Sequence, residues 1–120
     1  VKNDDSETTV ELARKRKKAL IEEYIMLEGL ERQIFIPYGW YDTVEEMMSE
    51  LVALDVPINI LQIKEKFGGL RVYYESEFGT SVDKVVSKAS SNVRKVCVVC
   101  GSTEDLTNGG WNRLCCPEHN

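Results

Sequence analysis

Four soft ligand residues crowd the C-terminal end of this 120-residue chain: Cys97 and Cys100, then Cys116 and His119, with Cys115 as a spare. The pattern is C-x2-C, an insert of 15 residues, then C-x2-H. Each pair sits on one tight turn and delivers two donors, and two such pairs meet the tetrahedral demand of a zinc ion. Gly101, just after the first pair, gives that turn an unhindered backbone. Asn108-Gly109-Gly110 marks a reversal inside the insert, so 111–114 returns as a short strand carrying the second pair. Cys115 with His119 would make C-x3-H, also acceptable for zinc. Cys116 is preferred, because the C-P-E-H turn mirrors the first one. The competing readings are paired disulfides, or buried free thiols beside an exposed His. Four protein ligands close the coordination sphere, whereas a catalytic zinc keeps one position open for water. The expected ion is therefore one structural Zn2+ per chain, folding a segment too short to build its own core.

The second informative stretch is Lys64-Glu65-Lys66-Phe67-Gly68-Gly69-Leu70-Arg71. Gly68-Gly69 between two alternating runs is a two-residue hairpin signal. Backbone N–H groups at such a tip, with Lys64, Lys66 and Arg71 close by, suit a phosphate or carboxylate. The plainer reading is a turn whose cations pair with Glu65 and Glu75. No Walker loop is present, because no G-x-x-x-x-G-K-[ST] opens a helix. Trp40 and Tyr73, with Tyr38, Tyr41 and Tyr74, supply aromatics that serve either a core or a partner surface.

These motifs need elements to hold them. Thr8 with Glu11 makes a capping box, and Leu12, Ala19, Leu20, Tyr24 and Leu27 recur at helical intervals, so a helix is expected over about 9–30. Its block 14–18 is entirely basic and reads as a solvated surface, with docking through 19–27. Asp42 with Glu45 repeats the capping signal ahead of an apolar stripe at Val44, Met47, Met48, Leu51 and Leu54, giving a helix at about 43–54. Ile58 to Ser76 reads as a β-hairpin. Ser81 caps a third helix over about 81–96. The expected fold class is α+β: helices packed on a small antiparallel hairpin, with a zinc-knuckle module at 97–120 behind a core at 9–96. Residues 1–8 are polar and acidic and are expected to be disordered.

Size and composition, at 42% hydrophobic, suit one modest core. The net charge of −5 argues against a phosphate backbone or an anionic membrane as the bulk partner. The acidity belongs to residues 1–63, which hold 13 acidic against 7 basic side chains. No apolar run approaches a membrane span. Without a signal-peptide core, and with thiolates to keep reduced, a cytoplasmic setting is expected.

Gly39-Trp40, Q-I-K-E-K-F-G-G-L-R at 62–71, V-C-V-V-C-G at 96–101 and G-W-N-R-L-C-C-P-E-H at 110–119 occur in order. Over about 38–119 the chain thereby resembles small zinc-binding proteins of bacteriophages and bacterial genomes, most without an assigned activity. The resemblance implies that the third thiolate is Cys116, five residues after Trp111, with Cys115 where an apolar residue is usual. It implies a phage or prophage accessory protein acting in the host cytoplasm, with no transferable activity.

The leading functional reading is a non-enzymatic, zinc-stabilised binding protein that presents the hairpin and nearby aromatics to a host protein, as an inhibitor or modulator. The one His is a metal ligand, which removes the commonest general base. A nucleotide or small-anion binder using Lys64 to Arg71 is the alternative. A nucleic-acid-binding regulator, invited by the zinc and the 14–18 block, is the other. A basic helix with apolar ends also suits a homodimer through the N-terminal helix.

Overall fold

A computed structural model describes residues 8–108 and 114–119. The chain is α+β, as its patterning requires. In order come α1 (Thr9–Glu23), a 3₁₀ turn at Ile25–Leu27, β1 (Ile34–Phe35), a 3₁₀ turn at Tyr38–Trp40, and α2 (Tyr41–Ala53). Then follow β2 (Asn59–Lys66), β3 (Gly69–Glu75), α3 (Gly79–Val93), β4 (Thr107–Asn108), β5 (Leu114–Cys115) and a closing 3₁₀ turn at Pro117–His119.

The expectation for 1–8 lies outside the described residues except at Thr8, which is ordered as a cap. Its hydroxyl accepts from Glu11 N at 3.1 Å, the predicted capping contact. Thr8→Ala is expected to lower stability by about 1 kcal/mol, read from the midpoint of denaturant unfolding. The helix expected over 9–30 stops at Glu23, because Tyr24 turns extended. Leu27 nevertheless stays buried, since a 3₁₀ turn brings it down onto the core; a helical period does not require a continuous α-helix.

The second helix starts at Tyr41 rather than 43, and Asp42 is not its cap. The preceding 3₁₀ turn feeds directly into it, with Trp40 N donating to Pro37 O at 3.0 Å. Asp42 instead binds Arg16 at 2.7 Å. The third helix runs Gly79–Val93 rather than 81–96, and Ser81 lies inside it. Val96 stays largely buried beyond its end.

The sheet is mixed, not purely antiparallel, with order β1-β2-β3. β2 and β3 form the expected hairpin, while β1 joins β2 in parallel and sets Ile34 beside Ile63. The turn sits one residue earlier than expected. Phe67 (φ 52) and Gly68 (φ 80) are its central residues, and Gly69 already pairs with Lys66. Two positive φ values are what a twisted two-residue hairpin demands. Gly69 is buried against the Arg94 guanidinium and belongs to the strand.

Leu20, Leu27, Val44, Met48, Leu51, Ile60, Ile63, Val82 and Val93 are all essentially inaccessible and form one core. Burying each contributes about 1.5–3 kcal/mol before chain entropy is subtracted. Leu20 and Ile21 lie in that core, so this apolar end of α1 is taken up within the chain, while Val10 at the other end is exposed. The basic block is partly spent at home too. Lys17 Nζ donates to Glu31 O at 2.9 Å and Ile34 O at 3.2 Å. Among the described residues no helix is long and apolar enough to cross a membrane.

Candidate metal centre

The C-terminal segment is built from two turns and a short ladder. In the first turn Gly101 N donates to Cys97 O at 2.8 Å, with Gly101 at φ 84, and Val99 N points to Cys97 Sγ at 3.4 Å. The second is the Pro117–His119 turn, closed by His119 N on Cys116 O at 3.0 Å. β4 pairs with β5, Thr107 opposite Cys115, and Val98 N donates to Leu114 O at 2.9 Å. That last bond holds the two turns side by side. Residues 109–113 of the insert, including Gly109, Gly110 and Trp111, lie outside the described residues.

This arrangement brings Cys97, Cys100, Cys116 and His119 together, their ligand atoms all within 4.8 Å of one another. Cys100 Sγ is 3.7 Å from Cys116 Sγ, and His119 Nδ1 is 3.7 Å from Cys97 Sγ and 3.1 Å from Cys116 Sγ. Four such donors can hold one metal ion. Cys115 stays outside the set. It lies on β5, where neighbouring side chains point opposite ways, and it packs with Val98, Val99 and Leu106 as a small apolar residue. The choice between the two adjacent cysteines thus falls on Cys116.

Electrostatics suit a cation. Burial pushes the Cys97 thiol up, but the backbone N–H groups of Cys116, Cys100 and Val99 outweigh it and bring the thiol down to about 6. Cys100 moves the other way. The Ser102 backbone N–H lowers it, yet burial and the neighbouring sulfurs of Cys116 and Cys97 raise it overall. Sulfurs this close resist joint ionisation unless a positive charge lies between them, and metal capture then releases protons.

The module is seated on the core through glycine. Gly39 N donates to Val98 O at 2.9 Å. A Cβ at Gly39 would fall 2.0 Å from Cys97 O, so two backbones touch where no side chain fits. Gly39 was legible in sequence only as half of a Gly-Trp pair. Trp40 beside it is 1% exposed, which corrects its assignment to a partner surface: it is a core residue beneath the metal turn. Its Nε1 has no hydrogen-bond partner among the described residues.

The hairpin residues separate into two groups. At the tip, the Gly68 N–H donates to Glu65 Oε2 at 2.8 Å, so the chain's own carboxylate already fills the expected anion position. Lys64, Lys66, Arg71 and Tyr73 lie on the outward side of the strands with Gly69, and Tyr73 is exposed. Tip and metal turn face each other across a cavity of ≈ 400 Å³, with Glu65 and Gly68 on one side and Val98 and Val99 on the other. Phe35 and Phe67 were missed as surface residues, and Lys17, read only as part of a solvated block, was missed as the cation over Phe35. Phe35 was hidden in the apolar run 34–36, and Lys17 in the basic block.

No protein-family model matches the chain, and no match to it is found among curated proteins or among solved structures.

Proposed function

We propose that the chain is a zinc-stabilised binding protein without catalytic activity. The observation that carries this reading is the spacing of the donors. A tetrahedral ion with zinc–sulfur bonds of about 2.3 Å sets its sulfurs about 3.8 Å apart, and its sulfur–nitrogen edges near 3.5 Å. The 3.7 Å from Cys100 to Cys116 and the 3.7 Å from Cys97 to His119 lie close to those edges, the 3.1 Å from Cys116 to His119 is shorter, and all four donor atoms lie within 4.8 Å of one another. Three thiolates with one imidazole favour zinc over the hard oxygen-seeking cations. Four protein ligands leave no position for a reacting water, and they include the chain's one His, so the ion's role is to shape the surface beside it. The resemblance to small phage and bacterial zinc proteins extends the reading to an accessory protein acting on a host macromolecule.

Metal analysis of chain purified without added metal tests it. One zinc per chain is expected, and Cys115→Ser should keep it. A folded, metal-free protein, or one in which Cys115→Ser removes the ion, would overturn the reading.

A further inference from the structure

The side of the sheet turned away from the core forms one continuous surface. Phe35, Lys64 and Arg71 make a row across its strands, with Gln62 and Tyr73 in the next. Gln33 extends that second row by its hydrogen bond to Gln62 at 3.1 Å. Three rings stand exposed on this side and its tip: Phe35 at 56%, Tyr73 at 43% and Phe67 at 74%. Each has a lysine ammonium over it: Lys17 5.5 Å from Phe35, Lys64 5.5 Å from Tyr73, and Lys66 5.8 Å from Phe67.

Phe67 is the telling member. It is held at φ 52 in a two-residue turn, where Asn or Gly sits without strain. A large ring kept exposed in a conformation that disfavours it points to a use outside the fold. Beside it a groove of ≈ 500 Å³ follows the β3 edge to Tyr73, with Lys66 and Arg71 along it and Leu70, Val72 and Val86 on its core side. Arg71 has no ion-pair partner among the described residues, and the Arg94 guanidinium lies against Gly69 at the same end. The nearby carboxylates are engaged elsewhere, Glu65 by Gly68 N and Glu75 by Asn59 at the far end. In a chain of net charge −5, this is a local cationic surface.

We propose that this open sheet surface binds single-stranded nucleic acid, its bases stacked on Phe67, Tyr73 and Phe35 and its phosphates met by Lys66, Arg71 and Lys64. The inference rests on the binding-protein reading and names the partner. A nucleotide carries one π-face and one phosphate, which is what the Lys64–Tyr73 and Lys66–Phe67 pairs match, whereas Lys17 over Phe35 is already bonded to Glu31 O and Ile34 O. Phe35 and Tyr73 stand two strands and one row apart, about 12 Å, farther than one nucleotide reaches. A duplex hides its base faces, and an acidic peptide has none to stack. The Gln33–Gln62 amides between the rings offer donors and acceptors to base edges.

Fluorescence anisotropy with the zinc-loaded full chain and a labelled short oligothymidylate tests this. Binding in roughly the micromolar range at low salt is expected, with a log–log salt slope of about −2 from three phosphate contacts. Tyr73→Ala should weaken binding about tenfold while Tyr73→Phe retains it, because the ring and not the hydroxyl stacks. Arg71→Ala should flatten the slope by about 0.7. Phe67→Asn should weaken binding yet raise thermal stability, an opposite pair of effects that misfolding does not give. Absence of binding by zinc-replete protein overturns the inference and leaves the metal reading intact. Equal binding of polyglutamate or of duplex, or indifference to Tyr73→Ala, also overturns it.

Discussion

Cys97→Ser is expected to release the metal and undo the segment 97–119 while the α+β core stays folded. The two parts have separate interiors. The core is filled by Leu, Ile, Met, Val and Trp40, whereas the module encloses Cys97, Cys115 and Cys116 with Val98, Val99 and Leu106 around them. The apolar groups among the module's described residues are too few to offset the entropy of ordering the turns, about 1–2 kcal/mol per residue. A structural zinc supplies about 10–16 kcal/mol of binding free energy at neutral pH, and that energy folds the segment. Replacing the most buried thiolate ligand by a hydroxyl removes one bond and leaves a polar group without a cation. In hydrogen exchange, the amides of Cys97, Val98 and Gly101, now bonded to Ser102, Leu114 and Cys97 carbonyls, should lose protection. The amide of Ile63, bonded to Gln33 O, should keep it. A strong chelator added to the unmutated protein should give the same pattern. Retained protection throughout would show that the module folds without metal, and uniform loss would show that the core depends on it.

The ligand set was legible because its members are close in sequence and their spacing fixes turn geometry. The pairs C-V-V-C and C-P-E-H each impose a local fold, and only their docking is non-local. Helix existence was legible for the same reason, through apolar residues recurring at three and four. Helix starts were not. At Tyr41 a preceding 3₁₀ turn runs straight into the helix, and at Gly79 the helix begins after Phe78 with no capping side chain, so Asp42 and Ser81 carried a signal the fold does not use. β1 was invisible, since a strand as short as Ile34–Phe35 has no period, and its parallel partner lies far along the chain. The hairpin turn slipped by one residue because Gly-Gly is a stronger local signal than Phe-Gly. What decided the register was the inward placement of Ile63 and Leu70, together with the close fit of Gly69 to Arg94. Trp40 was misplaced for a related reason: an aromatic beside glycine reads alike whether it faces solvent or underlies a neighbouring loop.

Gly39→Ala should separate the metal module from the core without removing its ion. The added methyl would meet Cys97 O at 2.0 Å, with Gly101 N and Val98 C each at 2.8 Å. All three are backbone atoms, so no side chain can rotate aside, and the turn must lift by more than about 1 Å to reach ordinary contact. Overpacking of this kind costs about 1–3 kcal/mol, occasionally more. Lifting also breaks the hydrogen bond from Gly39 N to Val98 O, 2.9 Å, and uncovers Trp40. Together these give a loss of about 3 kcal/mol or more, read as a fall in melting temperature of about 10 °C. Zinc content should remain at one per chain: the clash falls on the backbone of the Cys97–Gly101 turn, but all four ligands lie between Cys97 and His119 and can lift together, and Gly39 supplies none. That combination, lowered stability with full metal, distinguishes it from Cys97→Ser, which loses both. Gly29→Ala serves as the control. Its position has φ 86 but nothing within 4 Å of the new methyl, so only the left-handed strain of about 1 kcal/mol applies. If Gly39→Ala proved no more harmful than Gly29→Ala, the seating of the module on the Tyr38–Trp40 turn would be wrong. Trp40 would then need a different cover.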